Sequence, residues 1–151
     1  MVEFKKNRYI FVDTAGIRRR GRIHRGVEQF SVRRAFKTLE HCDLGLILLD
    51  GVEGIVEQDT KLIGQTLELG KGCILLINKW DLRQNKPEAM GKFRSELQRR
   101  LPFVTYVPTL FISALTGKLV AKIFPLIDRV MTGYTLRIAT GDLNRFFEAV
   151  T

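Results

Sequence analysis

The residue types that most directly suggest chemistry are those of the tetrapeptide Asn78-Lys79-Trp80-Asp81. The carboxylate of Asp81 can accept two hydrogen bonds from the N1–H and 2-amino groups of guanine, an edge that adenine lacks. The amide of Asn78 can join neighbouring loops, the alkyl stem of Lys79 can lie across a purine face, and Trp80 can fix the loop. Because such a tetrapeptide also occurs by chance in surface turns, this interpretation depends on its neighbours in the chain.

A second candidate is the segment Asp13-Thr14-Ala15-Gly16. A carboxylate at the end of a strand can hold Mg²⁺ through water, which makes Asp13 the candidate metal ligand. A glycine allows a backbone N–H group to approach a γ-phosphate, and Gly16 suits that role. Thr14 and Ala15 lie between them in the same predicted nucleotide-binding loop. Taken alone, the segment is equally compatible with an ordinary turn.

The third segment is Ser113-Ala114-Leu115, whose backbone N–H groups could be offered to the guanine carbonyl. This short run indicates little by itself. All three segments directly follow apolar runs, however, and they come in the order phosphate, base edge, base carbonyl. That order is what favours one nucleotide site over three unrelated turns.

Apolar runs that alternate with helical periodicity predict the elements that must position these segments. The predicted strands are Tyr9–Val12, Leu44–Asp50, Cys73–Asn78 and Thr109–Ile112. The predicted helices are Val27–His41, Gln58–Leu69, Pro87–Leu101 and Leu119–Met131. Nearly continuous apolar strands between helices predict an α/β fold, a mostly parallel sheet with helices on both faces. Ligands of such sheets lie beyond the carboxyl ends of the strands, so all three segments should line one rim.

The composition is that of one globular domain: 151 residues, 45% of them hydrophobic and 27% charged. No apolar run reaches the roughly 18 residues of a membrane-spanning helix, and the first residues do not resemble a secretory signal. Cys42 and Cys73 are isolated thiols without CxxC spacing. This spacing indicates that both cysteines act as small hydrophobic side chains in a reducing cytoplasm, and it argues against a disulfide or a metal site.

The net charge of +9 is concentrated near the N-terminus. Residues 1–34 hold ten Lys and Arg against three Asp and Glu, a net charge of +7. The run Arg18–Arg25 contributes most of it and could contact phosphate or RNA, or could be a solvated loop. A nucleotide-independent RNA-binding protein is therefore the second functional hypothesis, and a truncated chain without separate function is the third.

Beyond these motifs, the chain resembles the second GTP-binding domain of the Der (EngA) family, bacterial tandem GTPases of ribosome assembly. The resemblance is carried by Asp13–Gly21, Val27-Glu28, Phe30–Ala35, Gln58-Asp59, Asn78–Asp81 and Leu110–Gly117. It implies a P-loop GTPase fold, binding of GTP or GDP with Mg²⁺, and association with the large ribosomal subunit and its RNA.

The resemblance also implies how the chain is divided and which residues surround the γ-phosphate. Asp13, Gly16 and Ile17 become the candidate catalytic positions, with the apolar Ile17 where Ras-like proteins have a glutamine. Water would then be positioned by other groups, with a potassium ion as one candidate. Residues 1–133 correspond to an incomplete GTP-binding domain, and residues 134–151 correspond to the truncated start of a KH-like domain.

One part of the family pattern is absent from these 151 residues. No segment matches the phosphate-binding loop GxxxxGK[ST]: Gly70-Lys71-Gly72 and Gly117-Lys118-Leu119 both fail the pattern. The P-loop strand and the switch I segment are missing with it. We therefore expect weak nucleotide binding, no GTP turnover by this polypeptide alone, and self-association through unpaired strand edges.

Overall fold

The computed structural model describes residues 1–13, 36–83 and 87–150. Within these ranges the strands and helices alternate after an N-terminal hairpin. The strands are β1 (Val2–Phe4), β2 (Asn7–Tyr9), β3 (Leu44–Asp50), β4 (Gly72–Asn78) and β5 (Thr109–Phe111). The helices are α1 (Glu57–Glu68), α2 (Pro87–Arg100), α3 (Ile123–Tyr134) and α4 (Thr140–Val150).

The sheet at the centre of the fold is parallel and has the order β3-β4-β5. The pairing of β3 with β4 runs from Leu44 opposite Gly72 to Asp50 opposite Asn78. The two strands thus end side by side. β4 lies between two partners and is buried along nearly its whole length, which explains its uninterrupted apolar sequence.

Helices cover both faces of this sheet, as the sequence predicted. Successive residues of a strand point to opposite faces, and β4 divides its side chains accordingly. Leu75 and Ile77 belong to a core with α1 and α2, whereas Ile74 and Leu76 belong to a second core with α3. The first core contains Ile63, Phe93 and Leu97, and the second contains Ile112 and Ile127.

The bounds of α1 and α2 agree with the sequence periodicity to within one residue. α1 begins one residue earlier than predicted, where the Asp59 carboxylate accepts the Val56 N–H at 3.1 Å. α3 begins later than predicted because Leu119 has a left-handed backbone, φ 60°, and a short 3₁₀ turn at Val120–Lys122 intervenes. Of the predicted helix Val27–His41, only residues 36–40 are helical within the described ranges, and its first part lies outside them.

The predicted strand Tyr9–Val12 is wrong. Only Tyr9 is in a strand, and β2 pairs antiparallel with β1 in a separate two-stranded sheet. The register places Val2 opposite Tyr9, so the residues after Tyr9 lie beyond the partner strand and pair with no strand within the described ranges. Ile10 and Val12 are consequently 76% and 61% exposed despite their apolar side chains.

The hairpin β1–β2 packs on α3 through aromatic rings. Phe4 stacks on Phe124 with ring centroids 4.3 Å apart, and Tyr9 meets the same ring edge-on at 5.1 Å. The Tyr9 hydroxyl donates to Asp128 Oδ1 at 2.8 Å. Contacts of this kind attach the hairpin to the second core without extending the parallel sheet.

The C-terminal helix α4 has no buried residue. Its apolar residues Leu143, Phe146 and Phe147 are between 41% and 63% exposed. The division at residue 134 stays a prediction. None of the helices within the described ranges is long and apolar enough to cross a membrane.

Candidate functional site

The candidate site forms where β3 and β4 end together. Asp50 and Asn78 are opposite each other in the register, and the Gly51 N–H donates to the Asn78 carbonyl at 2.8 Å. A Cβ on Gly51 would lie 2.7 Å from that carbonyl oxygen, so only glycine permits this close approach. The loops after the two strands are therefore held against each other.

Asn78 connects the loop after β4 to the loop after β5. Its side-chain Oδ1 accepts the Ala114 backbone N–H at 2.9 Å. A second bond joins the same two segments in the opposite direction, since the Trp80 N–H donates to the Ile112 carbonyl at 3.0 Å. The structure thus brings Asn78 and Ala114 together at one rim, where the sequence had predicted two separate loop segments to meet.

Trp80 anchors the loop after β4 in the core. The side chain is 3% exposed, and its ring packs 4.3 Å from Phe111 and edge-on to Phe93 at 5.9 Å. The guanidinium of Arg83 lies over the Trp80 ring, 5.9 Å from its centroid. A 3₁₀ turn, Trp80–Leu82, follows directly and carries Asp81 at its middle position.

The Asp81 side chain is partly buried in this turn. Its Oδ1 atom is buried and has no hydrogen-bond partner in the described part of the chain. A buried carboxylate oxygen without a donor is unfavourable, so Asp81 is a candidate for binding a ligand that offers N–H groups. The Trp80 Nε1 atom is also buried without a partner among the described residues.

Lys79 leaves the same loop from a left-handed backbone, φ 60°, and pairs with Asp50 across the rim. Its Nζ lies 2.6 Å from Asp50 Oδ2. The other oxygen, Oδ1, accepts backbone N–H groups from Val52 at 2.9 Å and Glu53 at 3.1 Å. Burial by itself would raise the pKa of Asp50, but the Lys79 ammonium and the two backbone donors prevail and lower it to about 2.

The loop after β5 is built on Ser113, which is 1% exposed. Its N–H donates to the Lys118 carbonyl at 3.2 Å and its hydroxyl accepts the Thr116 N–H at 3.2 Å. These bonds close a tight turn that leaves Ala114 exposed and Leu115 88% exposed. Ser113 thus supports the loop from within, whereas the two residues after it lie on the surface.

The phosphate side of the predicted site is only partly described. Asp13 is exposed, and because Ile10–Asp13 do not join the parallel sheet, the sheet does not hold Asp13 beside Asn78. Thr14, Ala15, Gly16 and Ile17 lie outside the described residues. In the described ranges no group of three or more His, Cys, Asp or Glu could hold a metal ion, so Asp13 would need phosphate oxygens and water to complete a Mg²⁺ shell.

Asp50 is the site residue that the sequence analysis did not assign. The sequence does show a charged residue, Asp50, at the end of an apolar strand. It does not show which side chain this aspartate contacts. Its contact with Lys79 depends on the register of β3 against β4, which spacing along the chain does not reveal.

Comparisons with known proteins agree with this geometry. The family model of the elongation factor Tu GTP binding domain matches residues 2–133. GTPase Der of Natranaerobius thermophilus is 43% identical over 148 residues, which cover 98% of this chain and 34% of that protein. GTPase Der of Desulfitobacterium hafniense is 44% identical over 142 residues, 94% of this chain and 32% of that protein. The chain thus spans about a third of the length of these curated relatives.

Solved structures give the same fold. Elongation factor SelB of Methanococcus maripaludis, in complex with the GTP analogue GppNHp, has a TM-score of 0.62 at 21% identity and covers 73% of this chain and 24% of its own. Era of Aquifex aeolicus, bound to GDP·AlF4⁻, has a TM-score of 0.56 at 25% identity. That match covers 67% of this chain and 33% of Era.

Proposed function

Since the chain belongs to the family of the elongation factor Tu GTP-binding domain, and its sequence is of the Der type, we propose that it binds guanine nucleotide at the rim where β3, β4 and β5 end. Asp81 reads the N1–H and 2-amino groups of the base. The Ala114 N–H is already donated to Asn78 Oδ1, so Ala114 holds the loop beside the base. The N–H of the exposed Leu115 faces the base carbonyl, and the stem of Lys79 lies against the ring.

The unpartnered Asp81 oxygen is the observation that carries this proposal. Two contacts fix the loop that carries Asp81: Trp80 packs against aromatic rings, and Asn78 is hydrogen-bonded to the neighbouring loop. A carboxylate fixed in this way pairs with two adjacent N–H groups and rejects adenine, which offers no matching donors. Guanine is the purine that fits.

The finer parts of the function are proposed with it. Asp13 holds Mg²⁺ through water, and the Gly16 N–H senses the γ-phosphate of GTP; potassium is a further candidate ion. Residues 134–151 begin a KH-like domain, and the complete protein acts as a cytoplasmic GTPase in assembly of the large ribosomal subunit. Support for an RNA link comes from Era, 25% identical, whose structure with MgGDPNP includes nucleotides 1506–1542 of 16S ribosomal RNA.

The base-reading step can be tested with a built-in reporter, because Trp80 is the only tryptophan of the chain. The indole N–H signal of Trp80 should shift in NMR titrations with GMP and remain unchanged with AMP. Nucleoside monophosphates suffice here, since the test concerns the base. Shifts of equal size with both nucleotides would contradict the proposal.

The matched variant is Asp81→Asn. An asparagine amide can donate to the 2-oxo group of xanthine but no longer accepts both guanine donors. We therefore expect this variant to lose affinity for GMP and to gain affinity for XMP. Asp142→Asn, an exposed acid on α4, is the control and should retain the GMP preference of the unaltered chain.

A further inference from the structure

The ion pair of Asp50 and Lys79 differs from the other ion pairs described in this chain. Lys61–Glu57 and Arg100–Glu96 are pairs along one helix, with side chains between 38% and 81% exposed. Asp50 is instead 9% exposed and joins two strand ends, 29 positions from Lys79. Its contact is also short, 2.6 Å from Nζ to Oδ2.

Both partners of this pair are set by backbone geometry. The Asp50 carboxylate is turned by two backbone N–H groups on Oδ1, which leaves Oδ2 directed to the ammonium. Lys79 has a left-handed backbone, which is uncommon for a residue with a Cβ. Gly51, bonded to the Asn78 carbonyl, holds the two strand ends at this separation.

We propose that Asp50 is a positioning residue for guanine recognition, acting through Lys79. The carboxylate anchors the ammonium, so the four-carbon stem of Lys79 is held as a fixed apolar wall for the purine ring instead of sampling many rotamers. Asp50 itself does not touch the nucleotide. This inference rests on the proposed function, since the wall has a purpose only if a purine binds beside Asp81.

The pairing can be measured without nucleotide, by the rate at which lysines react with an amine-acylating reagent, read by mass spectrometry. An ammonium held by a buried carboxylate reacts slowly. In Asp50→Asn, we expect Lys79 to react several-fold faster while Lys61 is unchanged. Glu57→Gln is the matched control: it removes an exposed carboxylate and should leave both Lys61 and Lys79 nearly as before. An unchanged rate at Lys79 in Asp50→Asn would overturn the proposal.

The positioning role itself is tested by a double-mutant cycle on GMP affinity, read from the Trp80 indole signal. Asp50→Asn and Lys79→Met should each weaken GMP about tenfold, and the double variant should be no weaker than either single variant. Independent effects that multiply would show that Asp50 does not act through Lys79, and would overturn this proposal alone. Failure of the unaltered chain to bind GMP would overturn the proposed function and the positioning role together.

A conservative variant separates positioning from a general loss of folding, which melting curves monitor for every variant. Asp50→Glu keeps the charge and moves it by one methylene. We expect it to retain part of the Lys79 protection and part of the GMP affinity, in step with each other. A folded Glu variant that keeps one property and loses the other would contradict the proposal.

Discussion

At the scale of single residues, two opposing influences act on the Asp50 carboxyl group. Removal from water favours its neutral form, whereas the Lys79 ammonium and two backbone donors favour the charged form and lower its pKa from 3.8 to about 2. Since the folded pKa is depressed, the stabilisation is complete above the unfolded pKa. It is lost as the pH falls through the folded value.

We therefore expect the free energy of unfolding to decrease between about pH 4 and pH 2 as Asp50 becomes protonated. After allowance for solvent screening, its contribution to the free energy of unfolding is roughly 1 kcal/mol. Urea unfolding should show the unaltered chain to be more stable than Asp50→Asn at pH 5, with most of that difference lost by pH 2. A difference that is constant over this range would exclude the ion pair as its cause.

A second residue-scale prediction concerns Gly51→Ala. Its Cβ would lie 2.7 Å from the Asn78 carbonyl oxygen, a backbone atom that cannot move aside without parting the two strand ends. We expect a loss of about 1–3 kcal/mol in the free energy of unfolding, measured by urea denaturation.

Gly64→Ala is the matched control for that substitution. Gly64 lies within α1, and a Cβ there would meet no atom within 4 Å. Alanine has the higher helix propensity, so this variant should be stabilised by up to about 1 kcal/mol. Equal behaviour of the two alanine variants would contradict the close-approach argument.

At the scale of secondary-structure elements, the sequence predicted an element well where its own residue pattern determines it, and poorly where a distant pairing partner determines it. The strand Leu44–Asp50 was predicted with its observed bounds, because a continuous apolar run of this length is typical of a strand in a parallel sheet, although Leu48 within it is half exposed. The strand Tyr9–Val12 was wrong, because a strand also needs a hydrogen-bonded neighbour, and hydrophobicity does not report whether one is present. The same limit applies to Asp50: its residue type was visible, but its partner follows from strand register.

The hairpin β1–β2 is an element whose stability should be separable from that of the parallel sheet. It depends on the ring of Phe124, which contacts Phe4, Tyr9 and Phe11. Phe124→Ala should cost about 2 kcal/mol. In amide hydrogen exchange it should remove protection from β1 and β2 and leave β4 protected, since only the hairpin loses its support.

Phe147→Ala is the control for the aromatic substitution. Phe147 is 57% exposed on α4, and the same truncation there should leave exchange in the hairpin unaltered. If Phe124→Ala lowered the protection of β1 and of β4 equally, the hairpin and the sheet would be one cooperative unit.

For the whole molecule, the distribution of apolar surface sets the behaviour in solution. β3 pairs only with β4 within the described ranges, so its other edge has free backbone donors and acceptors there. Leu48, in the middle of this strand, is 52% exposed. Phe146 on α4 is 63% exposed. Open strand edges and apolar patches both promote association, whereas the net charge of +9 opposes it.

We expect the attractive surfaces to prevail as salt screens the charge, since the Debye length falls from about 10 Å at 0.1 M to about 3 Å at 1 M. Sedimentation velocity from low to high micromolar concentration should show reversible self-association of the 151-residue chain, stronger at high salt. Leu48→Lys places a charge on the open strand and should shift the equilibrium to monomer, because charged edge strands resist pairing. Phe146→Lys, made in parallel, reports the contribution of α4. A chain that stays monomeric at every salt concentration would show that the open edge of β3 is protected in solution.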